Sequence, residues 1–390
     1  LTGACGAIRS GGRKHGVSTS LNREEFIERQ VAFQLGALDP VAEVDVREWV
    51  RAENPARLNL TYHDPGDKSF VPEFCGSEIK QINKKIWKRI ERGGDKPALT
   101  IRALRNADFL CEVYEAGIRV PLVVDMQDAV RKPNLFPCFQ YNRQVGAANV
   151  ILWPHRRVHM IGAKEFCVEP DPSEPALSQK EPIVFWRGSL RGFSTLGGTL
   201  TNFRAVVKQF REQKIDKEQM LAHLETVPRY AFVSRYFGMP GFDIGFVQPP
   251  DLAHYFEIDE IARYQGNPVS TGAQTRAKYL ISIQGTDVGS SFGWQIATNS
   301  VLLKEAYSWE VFFDCHFRPW EHFIPVARDF SDIAEKIAWC EDNADACRQM
   351  AVKRHEAVRF LLESTTRDEA LRRVVTRYNT FHAHWAKTGV

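Results

Sequence analysis

Three stretches put chemistry-bearing side chains directly after an apolar run. In Val123-Val124-Asp125-Met126-Gln127-Asp128, two carboxylates follow what reads as a buried strand. A carboxylate there can act as a general base; it can equally close the strand with an Asx turn. In Trp186-Arg187-Gly188-Ser189, a cation, a glycine and a hydroxyl end a second strand. Arg187 offers a fork to phosphate oxygens, Gly188 lets a ligand approach the backbone and Ser189 adds a donor. The plain reading is a strand-ending turn with a solvated arginine. In Gln284-Gly285-Thr286-Asp287-Val288-Gly289-Ser290-Ser291-Phe292-Gly293-Trp294, small residues follow a third strand and open a helix. Backbone N–H groups at such a turn can face an anion. Two such turns in one half of the chain suggest a diphosphate site.

Weaker signals accompany these. Gly289-Ser290-Ser291-Phe292-Gly293 is a literal G-x-S-x-G. It would make Ser291 a hydrolase nucleophile, with Asp314, Asp329 or Asp332 as acid and His322 or His355 as base. A nucleophile elbow follows its strand directly, however, and here Gly285–Ser290 intervenes. Arg318-Pro319-Trp320-Glu321-His322-Phe323 reads as an ordered, packed loop. His155 and His159 stand four apart with no H-E-x-x-H glutamate, which suits a cationic rim or a solvated loop better than a metal. No two aspartates are separated by one residue, so the metal-holding D-x-D pair is absent. If the chain handles a nucleotide diphosphate, cations and helix N-termini are expected to replace the metal.

Alternating elements must position these residues. Helical spacing is expected over residues 21–35, 78–91 and 97–117, and again over 199–213, 293–300 and 331–360. A capping box at Thr366-Arg367-Asp368-Glu369 opens a last helix. Short apolar runs predict strands at 120–124, 149–153, 183–186, 230–233, 244–247, 278–284 and 301–304. Strands alternating with helices argue for an α/β protein with parallel sheets. The Pro- and acid-rich stretch 168–182 reads as a linker between two halves.

Composition narrows the class. The 390 residues fit two domains of about 100–200 each. With 44% hydrophobic and 25% charged residues, the chain is of the ordinary globular type. A net charge of +3 gives no argument for a nucleic-acid partner. No run of about 18 apolar residues is present. The eight cysteines form no C-x-x-C and are expected to be scattered thiols. One sequon, Asn59-Leu60-Thr61, is present. The chain opens on Leu1 rather than Met, so an upstream segment is expected.

The ordered motifs resemble glycosyltransferase family 90, which includes the protein O-glucosyltransferases, the capsule-associated xylosyltransferases and the lipopolysaccharide glycosyltransferases. The resemblance runs from Leu122 to Phe360 and is strongest over Tyr279–Asp342. There the order is YLISIQG, a Ser-rich turn, NSVLLK, WEVFF, RPWEHFIPV and DFSDIAEKIAWCEDN; FWRGS matches the family's aromatic-R-G-S motif. The resemblance implies a GT-B type α/β fold of two Rossmann-like domains facing a central cleft. Residues 1–170 would form the acceptor side, with a flexible lead-in. Residues 183–360 would bind the donor, and 361–390 would pack back on the first domain. It also implies an inverting, metal-independent transfer of glucose, xylose or galactose from a UDP-sugar to a glycan, lipopolysaccharide or protein hydroxyl. UDP-sugar is a co-substrate, and no cofactor or metal is expected. By the same resemblance the base falls on Asp128. Arg187, Gly188, Ser189, Lys278, Gly289, Ser290, Ser291 and Trp294 would serve the donor, with Asp125, Arg276, Lys304 and His322 in reserve.

The family's S-x-R-aromatic turn becomes Ser291-Phe292-Gly293-Trp294, so Gly293 stands where the diphosphate arginine would be; Arg276, Lys278 or Lys304 could compensate. A degenerate, glycan-binding member is the alternative that Gly293 motivates. The expected place of work is the cytoplasm or the cytoplasmic face of a membrane, with the ER or Golgi lumen as the alternative.

Overall fold

A computed structural model describes residues 21–40, 44–53, 56–57, 59–66, 78–83, 86–90, 99–155, 159, 161, 166–247 and 249–388. Helix α1 (Arg23–Leu35) starts where the Asn22 side chain accepts the Glu25 N–H, and it stops at Gly36 with φ +59°. After α2 (Val46–Glu53) and β1 (Thr61–His63) come three paired strands, β2 (Glu78–Asn83), β3 (Ile86–Ile90) and β4 (Leu99–Thr100). The helix expected over 78–91 is therefore a hairpin. Its isoleucines carry helical spacing, but β-branched side chains favour the pleated strand. Helix α3 (Ile101–Glu115) leads into β5 (Leu122–Val124), β6 (Cys138–Gln140), β7 (Asn142–Gln144) and β8 (Val150–Leu152). The first sheet runs β1-β5-β6-β8, parallel except for β1.

The second half opens with β9 (Glu181–Gly188), β10 (Phe193–Ser194) and β11 (Thr201–Asn202). Helices α4 (Phe203–Arg211), α5 (Lys217–Leu224) and α6 (Pro228–Tyr236) precede β12 (Phe242–Phe246). The strand expected at 230–233 is part of α6. Pro228 occupies its first turn, a helix-start signal that a short apolar run alone does not carry. Then come α7 (Asp259–Ala262), α8 (Thr271–Gln274), β13 (Ala277–Ser282), α9 (Phe292–Gln295), β14 (Val301–Glu305), β15 (Trp309–Val311) and β16 (Ile324–Val326). The long helix expected over 331–360 is two, α10 (Ile333–Asp342) and α11 (Ala344–Leu362), broken at Asn343. Helix α12 (Ser364–Thr388) ends the described chain.

The second sheet has the order β12-β9-β13-β14-β16, and every neighbouring pair is parallel. The chain leaves β9 for β12 on one side, then crosses back to β13 on the other. The strand order therefore reverses between β9 and β13, and the carboxyl edge of an open parallel sheet at that reversal is where ligands bind. The architecture is mixed α/β around a five-stranded parallel sheet.

Two features tie the halves together. Strand β7 pairs antiparallel with β15, and Arg143 meets Glu310 across that pair at 2.6 Å. Helix α12 returns to the first sheet: Ala370, Val374, Val375 and Tyr378 share one core with Ile27, Phe109, Val124, Phe139 and Trp153. The Tyr378 hydroxyl donates to the Pro121 carbonyl at 2.9 Å. Asn59 of the sequon is buried at 3% exposure, which shields it from a glycan. Cys138, Cys167, Cys340 and Cys347 are buried free thiols, whereas Cys111 is disulfide-bonded. No described helix is long and apolar enough to cross a membrane.

Candidate active site

A cavity of about 280 Å³ opens between the carboxyl ends of the two sheets. Asp128, Tyr141, His159 and Phe166 line it from the first half. Ser189, Arg191, Arg229 and the loop Gly285–Ser290 line it from the second. A larger recess of about 580 Å³ near Glu112, Arg367 and Arg372 contains none of these groups except His159.

The two carboxylates after β5 part company. Asp125 turns inward and is fully buried, with one oxygen 2.9 Å from Arg57 Nε. Arg57 is itself held by Asn134 at 2.9 Å. Burial raises the Asp125 carboxyl above its ordinary range, against the pull of Arg57. Ala129, in the left-handed region at φ +53°, redirects the chain after Asp128, which is exposed to the cavity.

The Tyr141 hydroxyl lies within hydrogen-bond distance of Asp128 and, at 3.1 Å, of Asp287 from the opposite half. A phenol has one proton for two carboxylates, so they share it. Asp287 also accepts from Asn142 at 2.7 Å and from the Val288 N–H at 2.7 Å. Burial and the neighbouring Asp128 charge raise the Asp287 carboxyl, and those three donors oppose the rise. The site thus offers a solvent-reachable carboxylate, oriented by a phenol, facing a Gly/Ser loop at a parallel sheet's carboxyl edge.

Of the sequence-derived donor residues, Ser189, Gly289 and Ser290 meet here. The others lie elsewhere. Along β9 side chains alternate, so Arg187 follows Phe185 and stacks on its ring. Its guanidinium is committed to Asp243 at 2.5 Å and to the Asn267 carbonyl at 3.1 Å, and it does not line the cavity. Gly188 serves packing, since a Cβ there would fall 2.6 Å from the Trp186 ring. Ser291 occupies the N-cap position of α9 and Trp294 packs on the core; neither lines the cavity.

Arg276 and Lys278 sit at the amino end of β13, the sheet edge opposite the cavity, paired with Glu181 at 3.3 Å and Glu341 at 2.5 Å. Neither can compensate for Gly293, because a parallel strand keeps its two ends on opposite edges. Lys304 lies behind the cavity wall, 3.4 Å from Asp314 and 4.5 Å from the Phe292 and Tyr307 ring centres. His322 accepts the Arg318 N–H at 3.1 Å, and burial pushes its imidazole down to about 4. His355 faces the Thr298 carbonyl, and among the described residues neither histidine pairs with Ser291. His159 Nδ1 accepts the His155 N–H at 3.0 Å, which spends that nitrogen on the loop rather than on a metal.

Sequence reasoning missed Tyr141, Arg191, Arg229 and Phe166. Arg191 stands two residues past Ser189, and Asp287 lies inside the Gly/Ser loop; both signals were within reach. Arg229 was hidden by the strand assigned to its helix.

Gly293 lines the cavity under Phe166, and a Cβ on it would lie 2.6 Å from that ring and 2.9 Å from the Phe166 carbonyl. Backbone and ring together fill the place of any side chain there.

Residues 244–381 match the model described as glycosyl transferase family 90. Uncharacterized protein 027R of Frog virus 3 (isolate Goorha) is 44% identical over 200 residues, 49% of this chain and 19% of that protein. Protein O-glucosyltransferase 3 of Rattus norvegicus is 28% identical over 86 residues, 22% of this chain and 17% of that protein. Uncharacterized protein 179R of Invertebrate iridescent virus 6 is 28% identical over 112 residues, 27% of this chain and 9% of that protein. The chain therefore spans less than a fifth of each of these three relatives. The matched stretch carries β12 to β16, most of the second sheet, and it is over these residues, 244–381, that the chain is similar to glycosyl transferase family 90.

Proposed function

We propose that the chain is an inverting glycosyltransferase that moves a hexose or pentose from a UDP-sugar to a hydroxyl of a glycan, lipopolysaccharide or protein. The observation that carries this reading is the Asp128 carboxylate facing the Gly285–Ser290 loop across one cavity. The family match supports glycosyl transfer, and the similarity to a rat protein O-glucosyltransferase supports glucose among the candidate sugars. Under this reading the halves form a GT-B pair, with residues 1–170 on the acceptor side and 183–360 on the donor side. Helix α12 (Ser364–Thr388) buttresses the first half.

The reaction is a single displacement. Asp128 takes the proton of the acceptor hydroxyl while that oxygen attacks the anomeric carbon. The bond from that carbon to the diphosphate oxygen breaks, and UDP leaves with the electron pair. Tyr141 orients the base, and the Ser189 hydroxyl and the Gly/Ser loop face the leaving group. A metal is not required in this scheme, since fixed donors and cations can stabilise the departing charge.

The test is UDP release from UDP-glucose, UDP-xylose and UDP-galactose, with and without a chelator. Release from one donor, persisting in chelator, supports the scheme. Nucleotide or glycan binding without any release would favour the degenerate-member reading, for which the closed space at Gly293 is the motive.

A further inference from the structure

A chain of three polar groups crosses the cavity from one half to the other. Tyr141, between β6 and β7, is buried, and its hydroxyl stands between the Asp128 and Asp287 carboxylates. Packing and hydrogen bonds hold the members in line. Asp287 Oδ1 accepts the Val288 N–H at 2.7 Å, which leaves Oδ2 to the first half. There Oδ2 accepts from Asn142 Nδ2 at 2.7 Å and lies 3.1 Å from the Tyr141 hydroxyl. The Tyr141 ring meets the His155 and His159 rings edge-on, with centres 5.3 and 5.8 Å away, so the phenol is fixed. Asp128 is the most exposed of the three and faces the cavity.

With both carboxylates ionised, the phenol has one proton for two acceptors. One added proton then has two resting places. On Asp128, it is donated to the Tyr141 oxygen while the phenol donates to Asp287. On Asp287, it is donated to the same oxygen while the phenol donates to Asp128. Shifting one proton along each hydrogen bond converts the first arrangement into the second. The surroundings favour the second, because burial and the Asp128 charge draw Asp287 toward its protonated form. Arg131 and Arg229 act on Asp287 from longer range and oppose that pull. Of the other cavity groups, His159 is held neutral by burial, Arg191 stands beside the Ser189 hydroxyl, and Asp314 is engaged by the Val311 N–H and Lys304.

We infer that Asp128, Tyr141 and Asp287 form a proton relay that carries the acceptor's proton from the base to the opposite half. The inference rests on the proposed function for the source of that proton. The acceptor O–H bond breaks and its proton goes to Asp128. Asp128 then gives a proton to the Tyr141 oxygen as the Tyr141 hydroxyl proton passes to Asp287 Oδ2. The phenol ends neutral, Asp128 regains its charge, and no co-reactant is consumed. Asp287 returns its proton to water once the products leave. Tyr141 and Asp287 are positioning residues here, since both act through Asp128.

The experiment uses the full 390-residue chain and its Asp287→Asn and Tyr141→Phe variants, with UDP-sugar turnover followed as a function of pH. The acid limb of the kcat/KM profile reports the base of the free enzyme. Asp287→Asn removes a neighbouring negative charge, so the limb should move about one pH unit down. Tyr141→Phe removes a donor to Asp128 and keeps the Asp287 charge, so the limb should move up. Each variant should lower kcat about tenfold and leave the donor KM unchanged. A merely structural role would leave the limb in place. An unmoved limb in either folded variant overturns the relay and spares the transferase reading; if Asp287→Asn fails to fold, Tyr141→Phe decides alone. Infrared titration of the unliganded chain reads the coupling without turnover. The protonated-carboxyl band lost in Asp287→Asn should titrate at a different pH in Tyr141→Phe. That shift in a protein whose wild type shows no turnover defeats the transferase reading and leaves the proton-sharing chain standing. A band indifferent to Tyr141→Phe overturns the relay whatever the turnover.

Discussion

Phe166 occupies the space that a side chain at position 293 would need, its ring 2.6 Å and its carbonyl oxygen 2.9 Å from a Cβ built on Gly293. The glycine is thus a packing requirement of this cavity. Gly293→Arg is expected to lower stability by about 1–3 kcal/mol, the usual cost of overpacking, without raising UDP affinity. Thermal unfolding and UDP titration check both halves of the statement. Adding Phe166→Ala should recover part of the lost stability.

Asp128→Asn should lower transfer, or slow hydrolysis of the donor, by about 100- to 10,000-fold, the range for loss of a general base. UDP affinity should stay as in the wild type, since Asp128 faces the leaving group from the opposite sheet. Full turnover in this variant would remove Asp128 from the base role.

Arg187→Ala should leave UDP affinity unchanged, because its guanidinium is spent on Asp243 and Asn267. Its partner Asp243 is half exposed, so the stability loss should be modest, about 1 kcal/mol. A marked drop in UDP affinity would return Arg187 to the donor site.

Burial holds His159, His316 and His322 neutral. His159 and His316 are pushed down to about 3 and His322 to about 4, from an ordinary value of 6.5. As pH falls below about 6.5 the unfolded chain takes up protons that the folded chain refuses. Stability from these groups is complete above pH 6.5 and is lost progressively toward their native values. At pH 5 the loss is about 2 kcal/mol per histidine by linkage. Melting temperature measured from pH 8 down to pH 5 should fall accordingly, and a flat profile would contradict the buried neutral state.

Glu305 works in the opposite direction. Its carboxyl is raised from 4.5 to about 7, so its folded form favours the proton. The stability it contributes is present below pH 4.5 and is lost as pH rises through 7. Glu305→Gln keeps an oxygen for the Gln284 N–H, which Glu305 accepts at 2.8 Å. The substitution should stabilise the protein at pH 8, by up to about 3 kcal/mol, and do little at pH 5. Paired denaturant titrations at the two pH values test the difference.

Much of the fold and part of the candidate cavity lining were legible in the chain itself. Short apolar runs bounded by Gly, Ser and Asp located β5, β8, β9, β12, β13 and β14, because buried parallel strands are read from local hydrophobicity. The turns after β5, β9 and β13 stood out by composition, and Asp128, Ser189, Gly289 and Ser290 came from them. Local sequence could not tell Asp125 from Asp128. That depended on Arg57, 68 residues upstream of Asp125, which pairs with one and leaves the other to the cavity. Nor could it pair Tyr141 with Asp287, 146 residues apart, or set Phe166 against Gly293. The direction of Arg187 followed from the alternation of β9 and a neighbour on β12. The sequence by itself determined which residue types stand at strand ends. Tertiary structure decided which of them share a cavity, because strand order, helix position and long-range contacts choose the side chains that converge.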